Sequence, residues 1–267
     1  MVVRVDEYGG FQATGECKIG GFGGLGSPIE LRFVDPAGSM TGALFPTGHA
    51  EEKLTVNLST GHTDVSVTLI DVANPFVLVD RATLPDHLKN LTPETPEMIQ
   101  AVETIRRTAA VRFGLASTIE EAAAVKGTPK IVLLSAPEPD EDVRAQAYSM
   151  GKPHRSLQLT GAVCLGTAVC IPGTTAFRIA AANRASTIQD SVQSLLAAGS
   201  WPIISSSGLF KDVDHNAERS VVISHPSGRI VTGVKTRRED DGKATVEYGK
   251  VMRTARRLFD GRAIVYI

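Results

Sequence analysis

Cysteine is scarce in this chain: Cys17, Cys164 and Cys170 are the only three among 267 residues. An odd, sparse set builds no disulfide framework and suits a reducing compartment. None of the three forms a Cys-x-x-Cys pair, and the six histidines are scattered, so no spacing for a structural zinc is present. Charge of one sign is lacking too. Twenty-eight basic residues face 29 acidic ones, for a net charge of −1. That balance gives no electrostatic reason to expect nucleic acid or an anionic membrane as partner, but leaves small anionic substrates open, because the local placement of Arg and Lys matters more than their sum. The start, MVVRVDEYGGF, has no apolar run behind a basic stub, as a secretory signal would. The most apolar stretch, LTGAVCLGTAVCIPGTTAF over 159–177, is broken by glycines and by Pro172. It falls short of the roughly 20 continuous apolar residues of a membrane span. A soluble, cytoplasmic protein without short repeats or low-complexity tracts is expected.

What is present is ample material for a core. Hydrophobic residues make up 42% and charged ones 21%, and the length suits one or two domains. A strand is predicted over 29–34, stopped by Asp35-Pro36-Ala37-Gly38, and a second short one over 42–45, stopped by Pro46-Thr47-Gly48. Alternation over Thr63, Val65, Val67 and Leu69 predicts another, and Phe76 to Val79 extends the β character. Met98, Val102, Ile105, Ala109 and Phe113 recur at helical spacing. Their helix starts at Pro96, with Thr95 placed to accept free amides, and stops at Gly114. A buried strand, Lys130 to Ser135, follows. Residues 159–171 predict a helix apolar nearly all round, closed by Pro172-Gly173, and 176–209 again reads as helix. The tail reverts to strands at 220–223, 230–234, 245–248 and 263–267. Strands and single helices in turn, rich in glycine, indicate an α+β protein whose sheets curl around helices.

Several segments have the residue types for chemistry. Pro75 forces Asn74 out of the helical region, on an extended backbone. A carboxamide so fixed could hydrogen-bond a substrate carboxylate, or it could be an ordinary turn asparagine. His154 and then Thr160-Gly161-Ala162-Val163-Cys164 put an imidazole and a thiol near the start of a buried helix. A helix N-terminus favours carboxylates and lowers a thiol's pKa, as an acid/base cysteine would need. The competing reading of Cys164 is a small buried apolar residue, and Cys170 is read as packing. His225-Pro226-Ser227-Gly228 is either a hairpin turn or a loop offering a hydroxyl and amides at a cleft. The basic run 253–257 reads as a solvated helix face, one arginine of which could pair with a carboxylate. The glycines of 20–26 do not form a nucleotide loop. A strand rather than a helix follows them, and no Gly-Lys-Ser/Thr ends them.

Taken together, nine segments in order resemble one family. They are Ser27-Pro-Ile-Glu-Leu-x-Phe-x-Asp35-Pro-Ala-Gly38, Thr41-Gly42, Leu44, Pro46-Thr47-Gly48, Asp71-x-x-Asn74-Pro75, Thr160-Gly-Ala-Val-Cys164, Ile171-Pro-Gly-Thr174, His225-Pro-Ser-Gly228 and Arg253-Thr-Ala-Arg256. The set is similar to the C-terminal two-thirds of the PrpF / methylitaconate isomerase family. The resemblance implies the diaminopimelate epimerase-like fold, a curled β-sheet around a central helix, with the first domain partial (1–70) and the second complete (71–267). An insertion is expected near 180–211. It further implies an isomerase that moves a double bond in a small unsaturated di- or tricarboxylic acid by proton abstraction and return, with no metal, flavin or nicotinamide. Asn74 and Cys164 match positions that face the substrate in the wider fold. With the resemblance, His154 and Cys164 become the acid/base candidates, and Asn74, Thr160, Gly161 and Ser227 the carboxylate holders. The family's front segment, with the cysteine and lysine usually assigned to proton transfer, has no visible counterpart here. That leaves as alternatives a homodimer or separate chain supplying the missing domain, or a non-catalytic binding or accessory protein derived from a truncated isomerase.

Overall fold

The computed structural model describes residues 1–3, 10, 12, 14–19, 23–184, 218–238 and 244–255. In chain order the elements are β1 (Val2–Val3), β2 (Cys17–Lys18), β3 (Leu25–Val34), β4 (Glu52–Leu58), β5 (Gly61–Asp71) and β6 (Pro75–Asp80). Next come α1 (Asp86–Lys89), α2 (Pro96–Arg112), α3 (Ile119–Ala124), β7 (Lys130–Ser135), β8 (Val143–Ser149), β9 (Lys152–Pro153) and α4 (Leu159–Cys170). A further helix, α5 (Thr175–Arg184), precedes β10 (Arg219–His225), β11 (Gly228–Arg238) and β12 (Ala244–Ala255).

The strands join in one sheet in the order β1-β3-β12-β11-β10-β8-β7-β6-β5-β4, with β2 on β3 and β9 on β8. Only β6–β7 and β8–β10 pair in parallel among the described strands. The expected boundary at 70/71 falls inside β5, whose two neighbours, β4 and β6, belong to this same sheet.

The sheet curls round α4. From Gly161 to Cys170 every residue of this helix is buried, which is why the segment reads as apolar on all sides. Close approach is built in at two glycines. A Cβ on Gly166 would overlap Thr232 Cγ2, and one on Gly249 would come within 2.5 Å of Val163 Cγ1. On the other face of β5–β7 lies α2, whose Met98, Val102, Ile105, Ala109 and Phe113 are all buried, as their spacing predicts. Gly114 has φ +78° and supplies the left-handed stop.

Three expectations are corrected. Residues 42–45 form turns and bends, not a strand. Gly38, Gly42 and Gly48 all take positive φ, folding this stretch back onto the end of β5. Thr95 does not cap α2 with its side chain; its hydroxyl donates to the Thr92 carbonyl at 2.8 Å instead. Arg253, expected on a helix face, lies in β12. The expected helix beyond residue 184, the insertion near 180–211 from residue 185 onward, and the 263–267 strand lie outside the described residues.

Candidate active site

The start of α4 organises the candidate site. Its first intrahelical bond runs from the Ala162 N–H to the Gln158 carbonyl at 2.8 Å, so the N–H groups of Leu159, Thr160 and Gly161 fall outside the helical ladder. These amides and the helix dipole favour a negative group. Packing is tight at Gly161, where a Cβ would meet Leu157 Cδ1 at 3.0 Å and the Phe76 ring at 3.3 Å. Next to it, both polar atoms of the Gln158 carboxamide are shielded from solvent and have no protein partner.

Phe76 follows the turn that carries Asn74. β5 and β6 pair up to Asp71 opposite Pro75, and Ala73 takes φ +56° between them. A clamp holds this turn. Asp71 is fully buried, and its carboxylate accepts from Ser39 Oγ (2.6 Å), Met40 N (2.8 Å), Thr41 N (2.7 Å) and Thr41 Oγ1 (2.9 Å). Main-chain bonds from Gly38 N to Asp71 O, from Asp71 N to Leu44 O and from Ala73 N to Pro36 O complete it. A buried carboxylate needs such donors, and they fix the backbone that displays Asn74. The sequence motif contains Asp71 but gives it no role. The available signal was an acid ending an apolar strand, Thr68-Leu69-Ile70-Asp71, with a Ser-Met-Thr turn upstream to supply hydroxyls and amides.

A second group of residues gathers just ahead of α4. His154 is held by its N–H to Ala147 O (2.8 Å), and its ring Nδ1 engages the Ser156 carbonyl at 2.5 Å. Ser227, in the β10–β11 turn, donates its hydroxyl to Arg155 O at 2.5 Å, and its N–H to His225 Nδ1 at 3.2 Å. Burial, then the nearby charges of Arg253 and His154, hold His225 below its ordinary 6.5, which favours a neutral imidazole at pH 7. Here opens a pocket of about 610 Å³ lined by Lys18, Arg155, His225, Ser227, Arg229 and Arg253 among others, with no Asp or Glu in its wall among the described residues.

Cys164 does not open onto this site. It is the sixth residue of α4, is wholly buried, and its thiol is pushed well above the ordinary 9.0, first by burial and then by the charge of Asp71. Burial opposes the activation expected of this thiol at the helix start, since α4 is enclosed on every side at that level. Burial likewise pushes Cys170 up to about 11. Thus Ser227 and His154 are tied to the Arg155–Ser156 segment ahead of α4, and Gly161 packs on Leu157 and on Phe76, two residues after Asn74. Cys164 lies behind them in the core.

No group of three or more His, Cys, Asp or Glu side chains among the described residues is placed to share a metal ion. No single helix among those residues is long and apolar enough to cross a membrane.

Comparison with known proteins supports the fold and the family. The structure superposes on the crystal structure of a methylitaconate-delta-isomerase with a TM-score of 0.67 at 26% identity, covering 97% of this chain and 60% of that one. The 3-methylitaconate isomerase of Eubacterium barkeri is 30% identical over 97% of this chain and 62% of its own length. The 2-methyl-aconitate isomerase of Shewanella oneidensis is 28% identical over 95% of this chain and 59% of its own. The chain thus spans about three-fifths of the length of these relatives. Each of these relatives is named as an isomerase. Residues 1–200 match the family model described as PrpF protein, and with a curled sheet closed around one buried helix the chain belongs to the PrpF family.

Proposed function

We propose that this protein, without a cofactor, moves a double bond in a small unsaturated di- or tricarboxylic acid of the aconitate, methylaconitate or methylitaconate type. The observation that carries the reading is a pocket walled by cations and, among the described residues, free of carboxylates, whose lining residues Ser156 and Leu157 lead into the α4 start and its three amides outside the helical ladder. An anionic substrate suits it, and relatives named for methylitaconate and methylaconitate fit that chemistry.

A carboxylate on the amides of Thr160 and Gly161, with Asn74 and Ser227 beside it, places an allylic C–H within the pocket. Removal of that proton leaves a carbanion delocalised over the double bond and the carboxylate, and the helix start stabilises the growing charge. Return of a proton at the far allylic carbon shifts the double bond with no net change in composition. His154 is the proton carrier we assign from this chain, because its Nδ1 is anchored and the ring is thereby oriented. Cys164 is left out of the proton path. A second subunit or chain facing the pocket, contributing the opposite acid/base group, is part of this proposal, as is the division into domains 1–70 and 71–267.

The test is proton NMR of the purified chain in D₂O with aconitate, methylaconitate and methylitaconate. Deuterium uptake or a shifted double bond is expected. His154→Gln should slow it by about 10²- to 10⁴-fold, and Cys164→Ala should leave it within a few-fold. A folded chain that leaves all three acids untouched would replace this reading with a binding or accessory protein.

A further inference from the structure

Arginine in this protein is habitually paired. Arg32, Arg106, Arg107, Arg112, Arg144, Arg178, Arg184 and Arg229 each meet a carboxylate within 4.0 Å. Arg253 is different. Among the described residues it has no ion pair, and the one hydrogen bond it makes to them is a long 3.4 Å contact to the neighbouring Met252 carbonyl. It is also half-buried.

The β12 register explains its placement. Gly249, Val251 and Arg253 share one face of the strand, opposite Phe33, Leu31 and Ile29 of β3. Gly249 faces α4 through Val163, so Arg253 lies on the helix side of the sheet. There it lines the same pocket as Ser156 and Leu157, the residues that lead into α4. Burial depresses its pKa, as it does for a cation taken from water without a counter-ion. Keeping a half-buried guanidinium unpaired is costly, and a bound anion relieves that cost. Lys18 and Arg155 in the same wall have no ion pair among the described residues either, whereas Arg229 is held by Glu141 at 2.9 Å.

We infer that Arg253 receives a second carboxylate of the substrate, separate from the one held at the α4 start, and thereby selects di- and tricarboxylates over monocarboxylates. This rests on the function proposed above. The planar fork of arginine suits a carboxylate better than lysine's single ammonium does, so the two are not interchangeable at this position.

The experiment is an NMR titration of the whole chain, at fixed ionic strength, with aconitate and with the monocarboxylate crotonate. It compares the unaltered protein with Arg253→Gln and Arg253→Lys, using the dispersed amide spectrum to verify folding. Arg253→Gln should weaken aconitate by about 10- to 100-fold and leave crotonate within two-fold; Arg253→Lys should fall between. Equal weakening for both ligands, or unchanged aconitate affinity in a folded variant, would overturn the assignment while the isomerase reading stands. If Arg253→Gln does not fold, the lysine variant decides: unchanged aconitate affinity there also overturns it. If the unaltered protein binds neither acid, the functional reading falls and this inference with it.

Discussion

The two hydrophobic cores use opposite faces of the same three strands but treat their helices differently. Ile70, Phe76, Leu78, Val132 and Leu134 turn towards α4, whereas Leu69, Val77, Val79, Ile131 and Leu133 turn towards α2. Helix α2 is amphipathic: one stripe is buried, and Glu97, Gln100 and Arg112 remain exposed. Helix α4 has no such polar face beyond its first two residues. The α2 side is thus an ordinary two-layer packing, able to accept change on its outer surface. The α4 side is an enclosed plug, and the one end of it that is not sealed is where the candidate site lies.

The contrast is sharpest for a charge. Ala168→Lys in α4 should prevent folding, at a cost above about 4 kcal/mol, whereas Gln100→Lys on α2 should stay within about 0.5 kcal/mol. Urea unfolding of both variants measures this, and a folded Ala168→Lys protein would mean the plug has a loose side. Next in size, Asp71→Ala strips the acceptor from four donors at the edge of the α4 core. A loss of about 2–4 kcal/mol is expected from the urea midpoint; a loss under 0.5 kcal/mol would show that the clamp holds nothing.

The smallest effect belongs to the α2 side. Burial raises the Glu103 carboxyl, but hydrogen bonds and charge from Arg106 and Arg107 outweigh it and leave the group below its ordinary 4.5. A depressed native pKa contributes stability that is complete above the unfolded value and disappears as pH falls through the native one. Glu103→Gln should therefore cost about 1 kcal/mol at pH 7, and the difference from the unaltered protein should shrink progressively below about pH 4.5. A difference independent of pH would assign it to packing rather than charge.

Much of this was legible in the residues because periodicity reports burial directly. The stripe on α2, the apolar run of β7 and the all-round apolarity of α4 each follow from where their side chains end up. Other features were not legible because their cause lies far along the chain. Residues 42–45 resemble a strand locally, but Asp71, about thirty positions away, binds Ser39 to Thr41 just ahead of them and donates its N–H to the Leu44 carbonyl. Thr160 to Cys164 reads both as a helix start and as part of an apolar run, and the two readings pull the thiol in opposite directions. Arg253 belongs to a basic run that suggests a solvated helix, and only its pairing with β3 turns its side chain inward.

The shared strands have one more consequence. Along β6 and β7, and at Leu69–Ile70 in β5, residues that serve one core alternate with residues that serve the other. A slip of one position would exchange the contents of both cores at once, presenting side chains shaped for α2 to α4 and the reverse. Register in these strands is consequently indexed from two sides, like a key cut on both edges. The turn bearing Asn74 inherits that indexing, because it joins two of the strands so fixed.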